Sequence, residues 1–200
     1  MSGAGRQRPT VALLAVTLSL AAYLPGAPAA DVEAGQKKAQ ACIACHGPGG
    51  NSSNPAVPSL AGQPQQFIVT QLIMFRLGNR KDPQMSPAAA NLTNTDLNDL
   101  AAFFSAQEST AAPRAIDPGR AAAGRRLTEQ HHCVACHGPA LKGQQHVPGL
   151  AGQQRQYLRT QLIGFKAGTR FDMDGNMSSA AQPLSDSDIE VLADYLAALK

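Results

Sequence analysis

The pentapeptide Cys42-Ile43-Ala44-Cys45-His46 recurs as Cys133-Val134-Ala135-Cys136-His137, and the two copies use all four cysteines of the chain. Cys-x-x-Cys-His is the attachment signature of a c-type haem: the thiols add to the porphyrin vinyl groups and the adjacent His gives the iron one axial nitrogen. Two copies therefore imply two covalently bound haems c, one on Cys42 and Cys45 with His46, the other on Cys133 and Cys136 with His137. A disulfide, a redox dithiol or a zinc half-site would be the competing use of a cysteine pair. Both pairs carry the following His, and a zinc knuckle would keep its four ligands close, whereas these pairs start 91 residues apart.

The duplication extends well beyond the pentapeptide. Pro58-Ser59-Leu60-Ala61-Gly62-Gln63 answers Pro148-Gly149-Leu150-Ala151-Gly152-Gln153, and Thr70-Gln71-Leu72-Ile73 answers Thr160-Gln161-Leu162-Ile163, both at an offset of 90. Met85-Ser86 answers Met177-Ser178 and Leu92-Thr93 answers Leu184-Ser185 at an offset of 92, which places a two-residue insertion between Arg170 and Met177. One whole domain has been duplicated.

Each copy has the same expected layout. A short helix near 35–41 or 124–132 leads into the haem motif, and a loop rich in Gly, Pro and Asn follows. A helix over 65–77 or 154–167 carries apolar residues at helical spacing, Phe67, Leu72 and Phe75 in one copy, Tyr157, Leu162 and Phe165 in the other. After a Met-bearing loop, Thr93-x-x-Asp96 or Ser185-x-x-Asp188 opens a closing helix with a capping-box-like signal. No useful alternating pattern appears, so the class is all-α. The expected organisation is a leader over 1–30, a first domain over 31–107, a connector over 108–119 containing Pro113 and Pro118, and a second domain over 120–200. Domains this small make thin cores, which an apolar haem would thicken.

The first thirty residues read as a secretory signal: Arg6 and Arg8, an apolar run over 11–24, and the A-x-A-like Ala27-Pro28-Ala29 before cleavage after Ala29 or Ala30. The run falls short of the 18 or so apolar residues of a membrane span. Losing Arg6 and Arg8 lowers the formal charge from +3 to +1, which argues against nucleic acid as a partner. Residues 31–110 hold five basic and six acidic side chains, and residues 111–200 hold ten and eight, a weak asymmetry.

A haem iron held by one His leaves its sixth position to be decided: a thioether closes the site and suits it to electron transfer, whereas an open position suits it to binding or activation. Met85, flanked by Pro83 and Pro87, is the first copy's candidate; Met74, inside a helix, reads as core filler. In the second copy Met177 keeps register with Met85, while Met173 lies in the insertion and stays within reach of the iron. His131, His132 and His146 read as ordinary residues.

These motifs, Cys-x-Ala-Cys-His-Gly-Pro, Pro-x-Leu-Ala-Gly-Gln, Gln-Leu-Ile-x-Phe with Gly-x-Arg, then Met and Leu-Ser/Thr-x-x-Asp, each present twice, resemble the di-haem cytochrome c4 family over essentially the whole mature chain. The resemblance implies two tandem class I cytochrome c domains related by a pseudo-twofold, with haem propionates facing each other across the interface. It implies axial pairs His46 with Met85 and His137 with Met177, and axial histidines fixed by the backbone carbonyls of Pro58 and Pro148. Arg80 and Arg170 match a basic position that helps neutralise propionates or else stays solvated. The stretch 81–84 departs from the family pattern.

Function follows as an expectation: a periplasmic or loosely membrane-attached electron carrier, not an enzyme, taking electrons from a quinol-oxidising bc-type complex toward a terminal oxidase. The alternative is the haem subunit of a periplasmic dehydrogenase such as a sulfide-oxidising flavocytochrome. A di-haem peroxidase would need an open iron and a distal acid/base, and the chain offers a Met for each iron instead.

Overall fold

The computed structural model describes Gly3, residues 30–111 and residues 114–200. Apart from Gly3 and Ala30, the expected leader lies outside the described residues. The first copy contains α1 (Val32–Lys38), α2 (Gln40–His46), α3 (Gln65–Arg76), α4 (Met85–Ala89) and α5 (Asn94–Ser105). The second contains α6 (Pro118–Gln130), α7 (Cys133–His137), α8 (Arg155–Lys166), α9 (Asn176–Ala181) and α10 (Asp186–Ala198). The described residues form no strand, only an isolated bridge between Gln144 and Val147.

In each copy the first helix and the central helix both pack on the closing helix, α1 and α3 on α5, α6 and α8 on α10. The result is two apolar clusters, one per copy. The first gathers Ala39, Ile68, Leu100, Phe103 and Phe104; the second gathers Leu141, Leu158, Leu184, Ile189, Leu192 and Leu196. The helix crossing is possible because one residue lacks a side chain. A Cβ on Gly35 would stand 2.1 Å from the Asp99 carbonyl oxygen, and one on Gly124 would stand 2.2 Å from the Tyr195 Cβ.

The same joint is charged in both copies, but with different residues. In the first, Lys38 bridges Asp96 and Asp99 of α5 at 2.7 Å each, and the backbone N–H of Asp31 donates to Asp99 at 2.8 Å. In the second, Arg120 and Arg155 share Asp194 while Arg155 and Arg159 share Glu190, so α6, α8 and α10 are laced together. Both expected capping boxes are present: the Asp96 N–H donates to Thr93 Oγ1 at 3.1 Å and the Thr93 N–H to the Asp96 carboxylate at 2.9 Å, repeated by Ser185 and Asp188.

Three boundaries differ from the sequence expectation. The first helices start earlier, at Val32 after the Asp31 cap and at Pro118 after Asp117, because Asp31 accepts the Glu33 and Ala34 N–H groups and Asp117 the Arg120 N–H. The haem motifs are themselves helical. In the second copy α6 and α7 are separated by His131 and His132, with His132 at φ 52, because two more residues separate Gly124 from Cys133 than separate Gly35 from Cys42. That second insertion is absent from the sequence reading. Finally, Met85 and Met177 sit at the first and second positions of short helices rather than in open loops.

Two candidate haem sites on one interface

Cys42 and Cys45 are three residues apart on α2, as are Cys133 and Cys136 on α7, so each pair projects from one face of its helix. The inner cysteine of each pair is half-buried, the outer one exposed, and none is in a disulfide. Burial pushes the thiols of Cys42 and Cys133 up from their ordinary value.

His46 and His137 close these helices and are 5% and 4% exposed. Each Nδ1 lies 2.8 Å from a proline carbonyl oxygen, Pro58 for His46 and Pro148 for His137, so Nδ1 carries the proton as donor. Nε2 makes no hydrogen bond within the described residues and is left as a ligand nitrogen. Against the opposing effect of the proline carbonyl, burial holds both imidazoles below their ordinary value, which favours the neutral form that coordination requires.

The Pro-x-Leu-Ala-Gly-Gln segments are held in place by the closing helices. The Gly62 N–H donates to the Phe104 carbonyl at 3.0 Å and the Gly152 N–H to the Leu196 carbonyl at 2.9 Å.

The methionines are held by aspartates. Asp82 accepts from the N–H groups of Gln84 and Met85, both at 2.9 Å. Asp172 accepts from the Met177 N–H at 2.8 Å, the Ser178 N–H at 3.3 Å and the Ser178 hydroxyl at 3.1 Å. Met177 packs against the second apolar cluster, whereas Met173 is 73% exposed and lies with Phe171 and Asp172 beside Met74 and Asn79 of the first copy. His146 Nε2 stands 3.7 Å from Asp174, a surface contact.

The two copies meet through their glutamines. Gln153 accepts from the Ser59 N–H at 2.8 Å and donates to the Ser59 carbonyl at 2.9 Å. Gln63 does the same to Gly149, at 2.9 and 3.0 Å. Because Ser59 answers Gly149 and Gln63 answers Gln153 in the repeat, the two pairs exchange under the pseudo-twofold, as an isologous contact must. The two-point contact also fixes which end of each amide is oxygen.

Beside these pairs the arginines converge. Arg80 stacks on Phe75 at 4.5 Å and donates to Gln71 at 2.6 Å in its own copy, then to the Tyr157 hydroxyl at 3.0 Å and Gln161 at 3.1 Å in the other. Arg170 stacks on Phe165 at 4.4 Å and shares Gln161 with Arg80. Burial pushes the Arg170 guanidinium down to about 10, with the charge of Arg80 adding to the effect. The Tyr157 phenol, which burial alone would raise, is drawn below its ordinary value by the two guanidiniums. Phe67 occupies the position of Tyr157 in the first copy and offers no hydroxyl, so the cluster is not symmetric.

These residues fit a covalently held haem. Each helix face presents two thiols beside a buried imidazole with one nitrogen spare. Arg170 Nε is buried without a partner among the described residues, and two neighbouring guanidiniums form a cationic cluster suited to carboxylates. Sequence reasoning assigns no role to Gln63, Gln153, Gln71 or Gln161 and counts Tyr157 only among the apolar positions of its helix. The glutamines recur at the 90-residue offset, so the signal was present; Tyr157 breaks the repeat and carried none.

The family model described as cytochrome c matches the chain twice, over residues 32–107 and 121–200. The chain is 40% identical to a cytochrome c4 of Thiocapsa roseopersicina over 181 residues, 84% of this chain and 93% of that protein. It is 36% identical to a thiosulfate dehydrogenase electron acceptor of Thiomonas intermedia, covering 95% of this chain and 92% of that one. Among solved structures, reduced recombinant cytochrome c4 from Pseudomonas stutzeri superposes with a TM-score of 0.79 at 34% identity, covering 86% of this chain and all of that one.

Proposed function

The chain belongs to the cytochrome c4 family, and from that premise we propose that it is a periplasmic carrier taking electrons from a quinol-oxidising bc-type complex toward a terminal oxidase. It is an electron-transfer protein with two covalently bound haems c. Bound on Cys42 and Cys45 and on Cys133 and Cys136, each haem supplies an iron that cycles between ferrous and ferric states. In this reading His46 and Met85 would hold the first iron, and His137 and Met177 the second.

The observation that carries the reading is that two like sites share one buried, hydrogen-bonded interface. Pro58 and Pro148 commit each imidazole through Nδ1, Asp82 and Asp172 hold each methionine helix by its first N–H groups, and Arg80 and Arg170 supply the cationic cluster for propionates. Sites held at both axial positions favour passing electrons over binding small molecules. No helix among the described residues is long and apolar enough to cross a membrane.

A second reading concerns only the donor. Likeness to a thiosulfate dehydrogenase electron acceptor supports a periplasmic dehydrogenase as the source of electrons, the class that also includes sulfide-oxidising flavocytochromes. Rapid-mixing reduction of the mature protein separates them. Reduction by quinol that requires bc complex, followed by oxidation by terminal oxidase, supports the first; reduction only by thiosulfate with its dehydrogenase replaces it with the second.

A further inference from the structure

The peptide group joining Pro58 to Ser59 is hydrogen-bonded on both sides. Its carbonyl oxygen accepts from His46 Nδ1 at 2.8 Å, and its N–H donates to Oε1 of Gln153, in the other domain, at 2.8 Å. The peptide joining Pro148 to Gly149 repeats the arrangement, accepting from His137 Nδ1 at 2.8 Å and donating to Gln63 of the first domain at 2.9 Å. Gln63 and Gln153 are 8% and 5% exposed, so these bonds sit in a low-dielectric interface. Sequence separation hides the connection, since Gln63 and Gly149 are 86 residues apart.

We infer that each glutamine is a positioning residue that tunes the haem of the opposite domain: Gln63 acts on the second haem through the Pro148-Gly149 peptide and His137, and Gln153 on the first through Pro58-Ser59 and His46. The inference rests on the axial assignment of His46 and His137 proposed above. An amide is a conjugated unit, so accepting its N–H proton makes its carbonyl oxygen more negative and a better acceptor. A stronger acceptor at Nδ1–H makes the imidazole more basic toward the metal. A more basic axial ligand favours the ferric state and lowers the potential. Docking of the domains is thereby wired, crosswise, into the reducibility of each iron.

The test uses the full-length holoprotein with Gln63→Leu and Gln153→Leu, following each haem separately by its own NMR signals during a redox titration and recording the Nδ1–H resonances of His46 and His137 in the reduced state. Gln63→Leu is expected to raise the potential of the second haem and shift the His137 Nδ1–H resonance upfield, with the first haem and His46 unmoved. Gln153→Leu gives the reciprocal result. Gln63→Glu keeps an acceptor on the Gly149 N–H, and a charged one, so His137 Nδ1–H moves downfield instead. It also remains informative if the leucine variant does not fold. A shift confined to the haem of the substituted domain, an equal shift of both, or none overturns the inference. Failure of the axial assignment has a different signature: the unsubstituted protein would then lack an Nδ1–H resonance from a ligated His46 or His137.

Discussion

Asp172→Ala tests how the second methionine is held. The carboxylate accepts the Met177 N–H at 2.8 Å, the Ser178 N–H at 3.3 Å and the Ser178 hydroxyl at 3.1 Å, so it satisfies the second and third N–H groups of α9. Met177 and Ser178 are half-buried, so water reaches the freed groups and the larger penalty for a buried unsatisfied donor does not apply. The loss is that of a helix cap, about 1 kcal/mol. With Met177 as the proposed iron ligand and 1.4 kcal/mol per factor of ten, the population in which its thioether has left the iron would rise about fivefold. Titrating the ferric protein with imidazole, and following loss of the Met-to-iron charge-transfer band, reads that population. The second haem should bind imidazole about fivefold more tightly and the first should be unchanged. An unchanged second haem, or an effect on the first, would refute the reasoning that Asp172 fixes the ligand loop.

Met177→Ala should abolish the charge-transfer band of one haem, whereas Met173→Ala, at a surface position, should leave both intact; the reverse pattern would make Met173 the ligand. Gly124→Ala puts a Cβ 2.2 Å from that of Tyr195 and forces α6 off α10, costing about 1–3 kcal/mol of second-domain stability in thermal unfolding. Lys38, with help from Thr93, holds the Asp96 carboxyl down to about 2. A carboxylate with a depressed folded-state pKa stabilises above its unfolded value, near 4, and loses that contribution as pH falls toward 2. Lys38→Met should therefore flatten the acid limb of the first domain's stability between about pH 4 and 2, and an unaltered acid limb would remove Lys38 as its cause.

The haem motifs, the duplication and the capping boxes were all legible because each rests on local chemistry or on comparing the chain with itself. Thr93 and Asp96 meet over three residues, and Cys42 and Cys45 share a helix face whatever surrounds them. The insertion at His131 and His132 was legible in principle, since the glycines that touch the closing helices stand 89 residues apart while the first cysteines stand 91 apart. It went unread because only the structure shows what Gly35 and Gly124 have in common, a helix packed directly on their backbone.

By itself, then, the sequence determined two all-α haem domains, their thiols and axial candidates, and the offset relating them. Tertiary structure alone decided what lies between them: Gln63 on Gly149, Gln153 on Ser59, and Arg80 reaching Tyr157 and Gln161. The physical reason is range. Helix periodicity, caps and attachment motifs act over a few residues and leave a pattern along the chain. A glutamine that pairs with a backbone amide 86 residues away repeats along the chain without marking its partner, because any residue's peptide could be that partner until packing brings one within 3 Å.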